Sequence, residues 1–133
     1  VVRDARYKNV IFVLVHGGWP YEREAALLTA VKNVYLDTSF QSEMLYPSQM
    51  KEVLKQLLTL YPDKMMYGSD AFPFNDALGA EESFWIAGRT TRTALAAALA
   101  ELVEEGAFSE TKAMEMARNY LHDTAAKMYA DRK

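Results

Sequence analysis

Two side chains in this 133-residue sequence stand where a site is easiest to build: His16 and Asp70. His16 follows the apolar run at residues 10–15 and opens the segment His16-Gly17-Gly18-Trp19-Pro20. Asp70 follows a shorter run at residues 64–67, within Gly68-Ser69-Asp70-Ala71-Phe72-Pro73-Phe74. A side chain at the end of a buried strand takes its position from a rigid element. A neutral imidazole beside a carboxylate can bind a divalent metal. The carboxylate can then take a proton from metal-bound water, whose pKa the metal lowers towards neutrality. Singly, each residue has a plainer reading. A histidine after a strand is commonly a structural hydrogen-bonder, and an aspartate after Gly-Ser commonly caps a turn. Their recurrence at equivalent strand ends favours a shared site.

Other residues carry weaker signals. Asp37 also ends a strand-like run and is followed by Thr38 and Ser39. These could wall the site or support His16, but an Asx-type turn is the preferred reading. Trp19, Phe72 and Phe74 flank the two motifs and either line a substrate pocket or anchor loops. Arg89 and Arg92, at i, i+3 spacing, could recognise a substrate carboxylate. A solvated face or ion pairs with nearby glutamates is the commoner outcome. His122, between Leu121 and Asp123, reads as a surface or packing residue. His16-Gly17-Gly18-Trp19 also looks like an esterase oxyanion loop. That fold needs a Gly-x-Ser-x-Gly elbow, and Gly68-Ser69-Asp70-Ala71-Phe72 lacks it.

The elements that must position these residues follow from pattern. Residues 10–15 are continuously apolar and β-branched, as in a parallel strand covered on both faces. Two glycines and a proline stop that run. Residues 21–32 predict a helix, with Glu22 and Glu24 near its start and Lys32 near its end. Residues 34–37 predict a second strand and 40–46 a loop. Pro47 opens a helix to about Tyr61, with Met50, Val53, Leu54, Leu57, Leu58 and Tyr61 at helical spacing. Residues 64–67 predict the third strand, and 68–80 a long loop. A helix at 81–104 stops at Gly106, and Ser109 caps a last one running to about Ala130. The order β-α-β-α-β-α-α is that of right-handed βαβ units in a parallel sheet. Sites in such folds lie at the C-terminal edge of the strands, where His16 and Asp70 both fall.

Composition narrows the partners. Fifteen basic against 18 acidic side chains give a net charge of −3 and no basic stripe, which argues against nucleic acid. The absence of cysteine removes thiolate metal sites and thiol catalysis, and is compatible with the expected cytoplasmic location. The longest apolar run is far too short to span a bilayer, so no membrane partner is expected. A small-molecule substrate is. The chain opens at Val1 without a methionine, and the motifs favour reading it as a piece of a longer protein. A three-stranded parallel sheet leaves two apolar edges. Homo-oligomerisation or association with the rest of a larger sheet would cover them. A non-catalytic α/β module that self-associates is the alternative from another class.

Taken in order, Val13-Leu14-Val15-His16-Gly17-Gly18, Asn33-Val34-Tyr35-Leu36-Asp37-Thr38-Ser39 and Met66-Tyr67-Gly68-Ser69-Asp70-Ala71-Phe72-Pro73 resemble the C-terminal part of the amidohydrolase-2 family. The resemblance covers most of the chain and implies an α/β fold, strands six to eight of a TIM (β/α)8 barrel. It makes residues 1–133 one partial domain. It also implies a metal-dependent hydrolase, or a non-oxidative decarboxylase, with a divalent metal for which zinc is the expected ion. By the same resemblance, His16 matches the sixth-strand histidine that contacts the metal or its water. Asp70 matches the eighth-strand aspartate, a metal ligand and proton carrier; Trp19 and Phe72 are the substrate-binding candidates. The closing stretch from Leu121 to Tyr129 carries Thr124 where the family usually has asparagine. The family's His-x-His pair and fifth-strand histidine have no counterpart here, so the chain alone is expected to be inactive.

Overall fold

The structure is a computed structural model that describes residues 1–130; Asp131 to Lys133, the end of the expected 1–133 domain, lie outside the described residues. Three parallel strands form one sheet in the order β1-β2-β3: β1 (Phe12–Leu14), β2 (Val34–Asp37) and β3 (Met65–Met66). Phe12 pairs with Val34 and Leu14 with Leu36; Leu36 then pairs with Met65. The helices are α1 (Glu22–Thr29), α2 (Gln41–Met44), α3 (Pro47–Leu60), α4 (Ala80–Glu104), α5 (Glu110–Arg118) and α6 (Thr124–Ala130). The mixed α/β architecture agrees with the expected class and is compatible with part of a TIM barrel.

The strands are shorter than their apolar runs. Residues 10–15 were expected to form one strand, but only Phe12–Leu14 pair, and Val15–Gly18 wind into a 3-10 turn. Val10 and Val15 are exposed, because β1 has a neighbour on one side only. Likewise Tyr67 leaves β3: its N–H donates to Tyr120 O at 2.8 Å. The C-terminal helices therefore meet the outer edge of β3, and one of the two expected open edges is covered by the chain itself.

The core lies on the face of the sheet that carries Val34, Leu36 and Thr38, all fully buried. Pro47 starts α3 where its missing N–H costs nothing, and the Tyr46 N–H donates to Gln49 Oε1 at 3.1 Å. Met50, Leu54, Leu57 and Leu58 then bury one face of α3. Each such side chain contributes roughly 1.5–3 kcal/mol of burial free energy. The buried stripe of α4 is mostly small, with Ala87, Gly88, Thr91, Ala94 and Ala98 alongside the larger Leu95, Leu99 and Leu102. Lys51 and Lys55 of α3 reach Glu101 of α4 across the solvent side. The α4 helix ends at a left-handed Gly106, φ 70°, where sequence places the stop.

Two regions depart from expectation. Residues 40–46 were expected to be a loop, yet Gln41–Met44 form a helical turn tucked against α4, with Ser42 Oγ 2.7 Å from Thr91 Oγ1. Four residues are too few for helical periodicity to register. The last helix is not uniform: Asn119–Asp123 form a π turn between α5 and α6. That turn buries Tyr120, whose hydroxyl hydrogen-bonds Thr38 Oγ1.

Candidate functional site

The polypeptide leaves each strand through an unusual backbone angle. The positive-φ residues other than glycine, among those described, are His16 (59°), Phe40 (67°) and Asp70 (55°). Each lies within four residues of the end of β1, β2 or β3, at the C-terminal edge of the sheet. Side chains with a Cβ visit this region at a cost of order 1–3 kcal/mol, and such residues concentrate at functional sites.

His16 is held from three sides. Its N–H donates to Asp37 Oδ1 at 3.2 Å, and its carbonyl accepts from Gln41 Nε2 at 2.6 Å. Its Nδ1 lies 3.1 Å from Ser39 O and 3.0 Å from Ser39 Oγ. The partners fix the tautomer. Ser39 Oγ gives its one proton to Asp37 Oδ1, and a carbonyl oxygen only accepts. Both groups facing Nδ1 are therefore acceptors, so Nδ1 carries the proton of the neutral ring. Nε2 keeps its lone pair and points towards Asp70. A metal-binding histidine is commonly oriented in this way. Asp37 also accepts the Ser39 N–H at 3.0 Å, an Asx turn. Both readings of Asp37 are met by one carboxylate oxygen.

Asp70 Oδ2 stands 3.9 Å from His16 Nε2, with side chains 43% and 38% exposed. This is too far for a direct hydrogen bond. Two ligands of one tetrahedral zinc, each about 2.0–2.1 Å from the ion, stand roughly 3.3 Å apart. The gap thus suits an ion or water after a small adjustment. The donor set fits a metal as half a site: among the described residues, no group of three or more His, Cys, Asp or Glu side chains could hold one. Gly68 lets β3 approach the His16 support, since a Cβ there would lie 2.8 Å from Ser39 Cβ.

An aromatic wall stands beside the pair. Phe40, which carried no signal in the sequence, is its hub: its ring centroid lies 5.4 Å from His16, 6.2 Å from Trp19 and 6.2 Å from Phe74. Phe72 packs on Phe74 at 4.1 Å. Trp19 and Phe72 are 37% and 42% exposed, so the wall has a free face. Gln41 and Glu43 were likewise invisible in sequence, since only the turn of α2 aims them inwards. His122 is exposed, and its Nδ1 lies 2.9 Å from Asp123 Oδ1. Arg89 lies over the Trp85 ring, and Arg92 donates to Gly88 O at 3.2 Å; among the described residues, neither pairs with a glutamate. Ser69 Oγ accepts from the Ala71 N–H at 3.4 Å and, among the described residues, has no hydrogen bond to a histidine.

The amidohydrolase family profile matches residues 5–130. The chain belongs to the amidohydrolase family. Protein fluG of Emericella nidulans is 32% identical over 127 residues, covering 94% of this chain. The chain spans only 14% of that protein's length. No solved structure matches. The amidohydrolase superfamily is generally metal-dependent, and family membership suggests hydrolase chemistry. Among the described residues, no helix is long and apolar enough to cross a membrane.

Proposed function

We propose that this amidohydrolase-family chain forms strands six to eight of a metal-dependent (β/α)8 barrel, with His16 and Asp70 as two donors to a divalent metal, zinc being the ion that the family resemblance implies. The observation that carries this reading is the approach of His16 Nε2 to Asp70 at 3.9 Å from the ends of two strands. The reaction class is hydrolysis of a C–N or C–O bond, or a non-oxidative decarboxylation, of a small-molecule substrate. When bound, the metal supplies a water acidic enough to act as a nucleophile near neutral pH. The chain's own residues do the rest. The Ser39 acceptors hold the imidazole so that Nε2 remains a donor atom. Asp70, half exposed at the mouth, takes the proton that the nucleophile gives up and returns it to the leaving group. Trp19 and Phe72, joined through Phe40 and Phe74, present an apolar face to the substrate and keep water from one side.

The remaining donors and strands belong to chain outside these residues, consistent with the small share of the fluG protein that is matched. The uncovered edge of β1 is where a preceding strand would pair. The test is activity of the protein expressed from its complete reading frame against a panel of amides, lactones and carboxylated acids. Chelation should abolish turnover and zinc restore it, and Asp70→Asn should lower kcat by several orders of magnitude. Turnover indifferent to chelation and to Asp70→Asn would overturn the reading.

A further inference from the structure

A groove of about 680 Å³ runs along α4 beside α5, and none of its lining residues belongs to the sheet. Residues 105–109 join the two helices. Tyr120, just past the far end of α5, packs on Tyr67 with ring centroids 6.4 Å apart. The Tyr67 hydroxyl lies 3.7 Å from the point where a Cβ would stand on Gly88, in the first half of α4. The α5 helix therefore runs back along α4, and the groove has two distinct ends. Arg92 stands at one, with Leu121; Glu104 and Glu110 stand at the other. Between them the wall is apolar: Leu95 and Leu99 are buried at it, and Met114 and Leu121 are exposed. Ala96 and Ala100 add only methyl groups, so a second helix can lie close against α4. Among the described residues, Arg92, Glu104 and Glu110 take part in no ion pair. Open apolar surface rimmed by charge marks an interaction site.

We propose that this groove is the contact by which two copies of the protein pair, their α4 helices antiparallel across a two-fold axis. The charge pattern selects the occupant. A closed two-fold contact must be complementary to itself. This groove is so when turned end for end: Arg92 comes opposite Glu104 and Glu110 of the partner subunit, and the same pairing forms at the other end. Arg92 and Glu104 stand about 18 Å apart along the helix, and the axis falls halfway between them. Ala96 then lies beside Ala100 of the partner subunit, where only methyl groups intervene. A copy in the parallel sense would bring arginine against arginine and glutamate against glutamate. An anionic membrane surface would meet the two carboxylates as like charges. Pairing covers the apolar wall of both copies at once. The surface is separate from His16 and Asp70, so it stands or falls independently of the metal reading.

The test is sedimentation equilibrium of the complete gene product and its variants. The parent should be a dimer that weakens as salt is added, since the end pairs are open to solvent. Arg92→Glu should weaken pairing about tenfold or more, because it sets like charges together at both ends. Glu104→Arg combined with Glu110→Arg should do likewise. All three substitutions together restore opposite charges and should return the dimer to near the parent's affinity, an outcome that a folding defect would not give. Met114→Lys puts a charge on the apolar wall and should also weaken pairing. These variants should fold as the parent does: the four positions are exposed, and the Arg92 hydrogen bond goes to Gly88 O of its own helix. A monomeric parent would mean that another part of the protein covers the groove, and would overturn the proposal. A dimer that the charge variants leave unchanged, or that the combined variant fails to restore, would overturn it too.

Discussion

Ser39 sets the chemistry of His16 without touching the site's open face. Its hydroxyl and carbonyl are the acceptors that keep the Nδ1 proton in place. Ser39→Ala removes one acceptor and the donor to Asp37. Because outer partners of a metal-binding histidine govern affinity, we expect zinc affinity of the complete gene product to fall about 10–100-fold. A competition titration measures this, and an unchanged thermal unfolding profile would show that the loss is not one of folding. Glu43 gives a prediction in pH. Its carboxyl is raised above 4.5 by burial, so the folded state holds the proton more tightly than the unfolded chain does. Its contribution to stability is therefore fully present below pH 4.5 and lost as pH rises through the folded value. Glu43→Gln removes that slope, and denaturant midpoints from pH 4 upwards should show a flatter profile in the variant. These residues also mark the limit of sequence reading. His16 and Asp70 were legible because each follows an apolar run. Ser39 appeared only as part of a polar run, and Phe40 and Glu43 not at all, since their roles arise from a backbone angle and a helical turn with no periodic signature.

At the scale of elements, the order of strands and helices was legible because helices of 14 and 25 residues carry several turns of apolar spacing. Strand lengths were not, because apolar runs record burial and pairing needs a neighbour. The joints between elements are also hidden in sequence. Lys64 ends the α3–β3 connection, and its Nζ donates to Thr29 O at 2.8 Å and Val31 O at 2.7 Å, closing the end of α1. Burial lowers its pKa accordingly. Lys64→Met would take this donor from Thr29 O and leave Val31 O with the Val34 N–H alone, and we expect a loss of about 1–3 kcal/mol in chemical denaturation. The same lowered pKa has a consequence of opposite sign to that of Glu43. The folded state binds the Lys64 proton less tightly, so stability rises as pH climbs from the lowered value towards 10.5. At the β3 exit, Gly68→Ala places a Cβ 2.8 Å from Ser39 Cβ. Ser39 or the strand must shift, and zinc affinity should fall with it.

For the whole molecule, the two edges of the sheet behave differently. The C-terminal helices reach the outer edge of β3, while β1 leaves Val10 and Val15 exposed at 44% and 55%. An uncapped apolar edge recruits another strand. The isolated 133-residue chain should therefore self-associate in sedimentation velocity, and replacing Val13 and Val15 by lysine should shift it towards monomer; a parent chain that is already monomeric would count against this. In the complete gene product the same edge would pair with a preceding strand of the barrel. The central claim is that His16 and Asp70 ligate one metal within that barrel. The direct measurement is an anomalous difference map at the zinc edge from crystals of the complete gene product. The account predicts a peak about 2.0–2.2 Å from both His16 Nε2 and an Asp70 carboxylate oxygen. A zinc peak ligated elsewhere, or none between these two side chains in zinc-loaded crystals, would contradict it.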